Sequence, residues 1–526
     1  MNFFRLIILK RFNTLLLSLI LIFSLYSLYI FQFQYDGHHV GLMYSNALDL
    51  KNGKTPFKEI FIQYGILTTL IHSIILDLFS NKIFMLNFIT LIFYQFSILL
   101  ITLSIKNLIN KEFAIISYLI LIMNHPIPWL PWSNYIAFFF ITFCIFLLTQ
   151  KKTNYIFLGF FLSLVFLSRQ DYLISIIISS LVIFLFLLFN KKILNYKNNI
   201  VSSIVGFCIP TLIFIIYLLG NDIIYEWRTL LSLPKFYIDI YNTTILELIY
   251  NFIIFFISES FFNFILTPQY FLISIILILN TILIFLKIFK KIKMENNIFF
   301  TSIICLCLSS MTLKIELFRL YTSVSIGIIP LLWFINSIDS SSLKKKFITI
   351  LILPSLFSFV FYPMGNNPAF SKTNFQVDVI DHNLHEFNHH KWPLQKINSL
   401  VKLSKLTKIC KVDYLENLTF DAIYSTVGNF DRIRFLPYVK SSMKDSKLSF
   451  FLDKIKNPDE NFVSLINRKI LKENIILLIN EGNYSFDNHK IIINSNYNML
   501  EVNLNTIDEK PDILRIYFPK KCENKI

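Results

Sequence analysis

The chain has 526 residues, of which 55% are hydrophobic and 16% charged, with a formal net charge of +16. One soluble core cannot hide that much apolar surface, so a bilayer is the solvent that fits and a single soluble globular domain is excluded. The excess lysine lies in short clusters between apolar runs, a mark of membrane topology that argues against nucleic acid as a partner.

Arg5, Lys10 and Arg11 precede the first apolar run, Thr14 to Phe33. A run of about 20 residues matches the hydrocarbon thickness and is too long for the core of a signal peptide, so it reads as an uncleaved first span. Further spans are expected near 85–105, 113–129, 132–150, 154–168, 172–189, 200–219, 268–287, 296–313, 320–337 and 347–363. With Lys10 and Arg11 inside, these return Lys106, Lys111, Lys151, Lys152, Lys191, Lys192, Lys197, Lys290, Lys291, Lys293 and Lys344 to Lys346 to the same side. The expectation is therefore a polytopic α-helical membrane protein of about 11 spans over residues 1–363, N-terminus inside and C-terminus out. Residues 247–265, also apolar, are read as lying along the outer surface, because a further span would reverse every later loop. Over residues 364–526 charges become dense and short strand-like stretches such as Ile475 to Ile479 and Ile491 to Ile493 replace long apolar runs, which predicts a soluble α/β domain on the outer face.

The first outer loop, residues 34–84, begins Gln34-Tyr35-Asp36-Gly37-His38-His39. It continues through Ala47, Asn52-Gly53-Lys54-Thr55-Pro56-Phe57 and Phe61-Ile62-Gln63-Tyr64-Gly65, with Gly53 and Pro56 dividing it into two short helices. An acidic residue just past the membrane boundary is placed for chemistry on a substrate whose lipid tail stays in the bilayer.

This order resembles the GT-C superfamily of polytopic glycosyltransferases: an acidic residue after span one, an alanine, glycine and Pro-aromatic stretch, then an aromatic Tyr-Gly turn. The nearest likeness is to its dolichyl-phosphate-mannose-dependent and aminoarabinose-transferase-like branch, strongest over residues 34–80. The resemblance implies that Asp36 acts as general base and that the loop helices lie on the membrane surface. A sugar on a polyprenyl phosphate already has a stable leaving group, so one carboxylate to take the acceptor's proton suffices, with cations to hold the phosphate. Gly37 stands where many members of the superfamily have a second acidic residue; Glu59 and Asp49 are its substitutes. That departure counts against a metal held by paired carboxylates, so no cofactor is assigned and a divalent metal stays open. His38 and His39 either line the donor site, ligate a metal, or are ordinary loop histidines.

Arg169-Gln170-Asp171 interrupts two apolar runs on the outer side, against the inward bias of arginine. Arg169 and Asp171 either meet a substrate group, the guanidinium forking onto a phosphate or carboxylate, or pair locally to cap a turn. Lys314, Glu316 and Arg319 pose the same question at a later hairpin, where the superfamily resemblance points Arg319 at the lipid phosphate. Tyr64 joins these as a candidate substrate contact. Trp129, Trp132 and His125, among prolines, read as an interfacial aromatic belt. Asp381-His382, His385, Glu386 and His389-His390 read as a solvated linker helix, with a metal site as the alternative. Asn417-Leu418-Thr419 fits a glycosylation sequon by its letters. Cys144, Cys208, Cys305 and Cys307 fall in apolar runs, whereas Cys410 and Cys522 either pair in an oxidising compartment or remain free thiols.

The leading reading is a membrane glycosyltransferase that moves a sugar from an outward-facing polyprenyl-phosphate donor to a cell-envelope glycan or lipid acceptor. A lipid-linked-oligosaccharide flippase is the alternative from another class; transporters keep charges at mid-membrane, and the span interiors here have almost none. A non-catalytic envelope-assembly scaffold is the third. No phosphate-cradling Gly-rich loop is found.

Overall fold

A computed structural model describes residues 2–32, 39–57, 60, 62, 64–79, 82–124, 131–191, 193–224, 227, 268–310, 317–366, 376–378, 391–411, 414–417, 424, 431–433, 475–480, 497–504 and 513–525. The helices among them are α1 (Asn2–Phe31), α2 (His39–Lys51), α3 (Ile66–Leu78), α4 (Ile83–Leu108), α5 (Lys111–Asn124), α6 (Ser133–Leu148), α7 (Tyr155–Ser168), α8 (Tyr172–Phe189) and α9 (Ile193–Gly220). They continue with α10 (Pro268–Ile288), α11 (Asn296–Ser310), α12 (Leu317–Val324), α13 (Ile328–Ser337), α14 (Ser341–Asn366) and α15 (Leu394–Cys410).

Each expected span overlaps one of these helices, with residues 125–129 and 311–313 among those outside the described residues and the span near 320–337 on α12 and α13 joined by a 3-10 turn, Ser325–Gly327. Among the described residues, six segments are long and apolar enough to cross a membrane by length and composition: Arg11–Phe31, Ile83–Leu108, Tyr172–Phe189, Leu194–Gly220, Gln269–Ile288 and Arg319–Ser337. The first loop forms two short helices, α2 and α3, on either side of the Gly53 and Pro56 breaks. The stretch 247–265 lies outside the described residues.

Apolar side chains are sorted by face. Leu17, Leu21, Ile22 and Leu25 of α1 and Ile204, Ile213 and Ile216 of α9 point outward and exposed. Tyr94, Ile98 and Ile101 of α4 and Ile136, Ala137 and Ile141 of α6 pack inward. With lipid as apolar as leucine, close backbone approach has to replace the hydrophobic effect between helices. The α7–α9 pair shows this: a Cβ on Gly159 would lie 1.8 Å from the Ser203 carbonyl oxygen, and one on Gly206 would lie 2.0 Å from that of Ile156. Ser163 and Thr211 share a 2.8 Å hydroxyl contact along the same seam.

Beyond α14 the chain changes to mixed structure. Strands β1 (Gln376–Asp378) and β2 (Lys391–Pro393) pair antiparallel. Strands β3 (Tyr414–Asn417), β4 (Asp431–Ile433), β5 (Ile475–Asn480), β6 (Tyr497–Asn503) and β7 (Ile513–Pro519) form one sheet in the order β4-β3-β5-β7-β6. The β4, β3 and β5 strands run parallel, and β7 runs antiparallel to both β5 and β6. Alternation along β7 turns Leu514, Ile516 and Phe518 inward, and α15 packs on this side with Leu400, Leu403 and Leu406 buried. Cys410, the last residue of α15, is disulfide-bonded to Cys522 in the 3-10 helix after β7, with Cα atoms 5.1 Å apart. Of the two strand-like stretches expected from sequence, Ile475 to Ile479 is β5 and Ile491 to Ile493 lies outside the described residues.

Candidate active site

Helix α7 stops at Ser168 because Arg169 turns extended, φ −151° and ψ 96°, and α8 restarts at Tyr172. The Arg169 side chain folds back under this turn and is only 2% exposed. Its Nε donates to the two Asp171 carboxylate oxygens at 2.8 and 3.0 Å, and Nη2 donates to one of them at 2.7 Å. Nη1 donates to the Asn134 side-chain oxygen at the start of α6. The guanidinium carbon lies 4.7 Å from the Tyr172 ring centroid and 5.1 Å from that of Tyr64. Burial is the largest single influence and eases the proton off Arg169, but the charge of Asp171, the neighbouring tyrosines and the Asp171 hydrogen bond together outweigh it, and the pKa rises. Arg169 is thus a fixed cation with carboxylate and amide along its edge and rings on its faces. The local Arg169–Asp171 pair open from sequence is the arrangement present, and Asn134 completes it.

Tyr64 is the second element. Its carbonyl accepts a 2.8 Å hydrogen bond from the Gln170 backbone amide, which docks the first loop directly onto the α7–α8 turn. Docking this close needs glycine next in sequence: a Cβ on Gly65 would lie 2.3 Å from the Leu167 carbonyl oxygen and 2.6 Å from the Ser168 carbonyl carbon. The Thr68 hydroxyl bonds the Ser168 carbonyl at 3.2 Å and extends the contact one turn into α3. The Tyr64 ring meets Trp132 edge-on, 4.6 Å between centroids. Trp132 is 1% exposed, so it is not part of an interfacial belt; the Tyr64 ring claims it for the interior.

Arg319, partly buried in the first turn of α12, donates from Nη2 to the Tyr64 hydroxyl at 3.2 Å. The Thr322 and Ser323 hydroxyls bond back to the Arg319 carbonyl at 3.1 and 2.8 Å. Ser323 also meets the Tyr172 hydroxyl at 3.3 Å, and Asn134 Nδ2 donates to Thr322 at 3.5 Å. Four segments far apart in sequence therefore converge: Tyr64-Gly65, Trp132 to Asn134, Arg169 to Tyr172, and Arg319 to Ser323. Both candidate arginines touch one tyrosine, Arg169 across its face and Arg319 at its hydroxyl.

Sequence reasoning did not single out Asn134, Tyr172, Thr322 or Ser323. The available signal was polarity, since each is a polar side chain at the mouth of an apolar run.

Asp36, His38, Glu59, Lys314, Glu316, His125, Trp129 and the histidines between 381 and 390 lie outside the described residues. His39 opens α2 with only its backbone described. Asp49 is buried, with its carboxylate 3.4 Å from Lys54 Nζ. Among the described residues no group of three or more His, Cys, Asp or Glu could hold a metal ion. His72 of α3 is fully buried with neither ring nitrogen hydrogen-bonded, and burial pushes its pKa down to about 3.

No protein-family model matches the sequence, and no curated protein sequence does. Solved structures do match over nearly the whole length. ArnT from Cupriavidus metallidurans bound to undecaprenyl phosphate is similar with a TM-score of 0.52 at 9% identity, covering 96% of this chain and 98% of that one. The same protein in the apo state gives 0.54 at 8% identity, covering 97% and 98%. The archaeal oligosaccharyltransferase AglB from Archaeoglobus fulgidus, in complex with an inhibitory peptide and a dolichol-phosphate, gives 0.51 at 13% identity, covering 88% of this chain and 69% of that one. With its long apolar helices and these neighbours the chain is an integral membrane protein, and its fold is that of the ArnT and AglB structures.

Proposed function

We propose that this chain transfers a sugar from a polyprenyl-phosphate donor to a cell-envelope glycan or lipid on the outer face of the plasma (inner) membrane. The observation that carries the reading is the meeting of Arg169 and Arg319 at Tyr64, in a fold shared with structures that hold undecaprenyl phosphate in one case and dolichol-phosphate in the other. In this reading the chain crosses the membrane about 11 times with its N-terminus inside, as the lysine distribution supports, and its soluble C-terminal α/β domain stands outside.

The acceptor hydroxyl gives its proton to Asp36 as its oxygen attacks the anomeric carbon. The bond from that carbon to the phosphate oxygen breaks, and the polyprenyl phosphate leaves with the electron pair. Arg319 carries the growing negative charge on that phosphate, as a cation seated where the first loop meets the first turn of α12. Arg169, paired with Asp171 and Asn134, holds the Tyr64 ring and so aims Arg319. His38, His39 and Glu59 complete the loop side of the site as contacts to the sugar or, with Asp36, as ligands of a divalent ion.

The test is a transfer assay with purified protein and a radiolabelled polyprenyl-phosphate sugar, comparing wild type with Asp36→Asn. The variant should insert and melt as wild type while transfer falls by about 10²- to 10⁴-fold, the range for loss of a general base. Transfer at the wild-type rate would remove Asp36 from the chemistry. If wild type transfers no sugar from any such donor, the flippase and scaffold readings take over.

A further inference from the structure

A second basic site lies away from the arginine cluster, at the other ends of α8 and α10. The α8 helix ends at Phe189 and α10 at Ile288, and the turn that leads into α11 closes a groove of about 460 Å³ between them. Lys287, Lys290 and Lys293 line it against one carboxylate, Glu295, with Asn190 and Phe186 on the facing wall. Lys290 takes a left-handed backbone, φ 57°, which reverses the chain so that lysines on both sides of the turn face one groove. Lys287 is partly buried and donates to the Met294 carbonyl, holding the turn closed, while the Lys290 and Lys293 side chains are exposed.

The flank of this groove is apolar. Phe189 is 81% exposed and Phe289 67% exposed, each beside a helix end that contributes to the groove. Two helix C-termini add partial negative charge, which the lysines more than offset. A ligand that matches the whole surface carries an anionic head for the lysines and a hydrocarbon tail for the phenylalanines. A free phosphate satisfies only the first half and a neutral phospholipid only the second. We infer that this groove binds the headgroup of an anionic phospholipid, its acyl chains lying along Phe189 and Phe289. The lysines are those whose clustering marks the inner side in the charge map, so the lipid belongs to the leaflet opposite the proposed transfer site.

Native mass spectrometry of the full-length protein in detergent tests this, with phosphatidylglycerol, phosphatidylcholine and inorganic phosphate as separate probes. Wild type should retain phosphatidylglycerol over phosphatidylcholine. The double variant Lys290→Gln/Lys293→Gln should bind phosphatidylglycerol about 30-fold more weakly, as two lysines near a lipid surface imply, with phosphatidylcholine binding unchanged. Both side chains are exposed, so the melting temperature in phosphatidylcholine should not move. Should the variant prove unstable, wild-type binding of phosphatidylglycerol must still weaken as salt is raised. Unchanged retention by the variant, salt-independent retention, or displacement of the lipid by equimolar inorganic phosphate would each overturn the assignment. The readout is binding, so the result stands or falls apart from the transfer reaction.

Discussion

Arg319 Nη2 donates to the Tyr64 hydroxyl across 255 positions of sequence, at 3.2 Å. A surface-loop tyrosine is thereby tied to the first turn of a late helix, and changes at either end should be felt at the other. Tyr64→Phe removes this bond and keeps the ring against Arg169 and Trp132. We expect a loss of about 1 kcal/mol in stability, since the bond is to a charged but partly exposed group. Transfer should fall about tenfold, read as kcat/KM beside a thermal melt. A variant with wild-type kcat/KM would separate Tyr64 from the aim of Arg319.

Asp171→Asn leaves Arg169 buried with its counter-charge gone. Removing one partner of a buried pair costs about 3–5 kcal/mol, whereas replacing both by apolar groups of like volume is often near neutral. Because the Asp171 side chain is 28% exposed, the single variant should fall at the low end of that range. The double variant Arg169→Met/Asp171→Leu should melt nearer wild type than the single one. The order of the two melting temperatures is the check, and its reversal would mean that Arg169 is held by something other than Asp171.

At Gly65 any side chain meets backbone, not a movable side chain, with the Leu167 carbonyl oxygen 2.3 Å from the added Cβ. Gly65→Ala should cost about 1–3 kcal/mol and push the first loop off the α7–α8 turn. Protease sensitivity within residues 39–65 should rise together with the fall in melting temperature. Gly53→Ala, where a Cβ would meet nothing within 4 Å, should leave docking intact and pay only for its φ of 82°.

His72 sets a pH dependence. Its folded pKa is pushed down to about 3, below the ordinary 6.5 that the unfolded chain keeps, so between those values the unfolded state binds the extra proton. Stability contributed by the neutral ring is present above about pH 6.5 and is lost as pH falls toward 3. Melting between pH 7 and pH 4 should flatten in His72→Leu, which also removes two unbonded buried nitrogens. An unchanged slope would show that other groups carry the acid sensitivity.

The six long apolar helices were legible because bilayer thickness imposes a length on a spanning run, and Ile83–Leu108 or Leu194–Gly220 announce themselves by hydropathy alone. The division of the first loop was legible too, since Gly53 and Pro56 break helices for local reasons. Pairings made at long range were not. That Arg169 needs Asn134, 35 residues earlier, or that Trp132 abandons the interface for Tyr64, depends on which helix ends become neighbours, and no local pattern encodes that. The Arg169-Asp171 partnership lay between these cases: two residues apart, it was one of the two readings open from the sequence.

The link between Cys410 and Cys522 spans 112 positions and joins α15 to the segment after the last strand. A ribosome must therefore have added 112 residues after Cys410 before the crosslink has both of its halves. The sheet is assembled around strands that arrive late, β5, β7 and β6, and its covalent closure waits for them all. A cell lacking thiol-oxidising machinery where this domain resides would accumulate an inserted helical bundle bearing an unfastened tail.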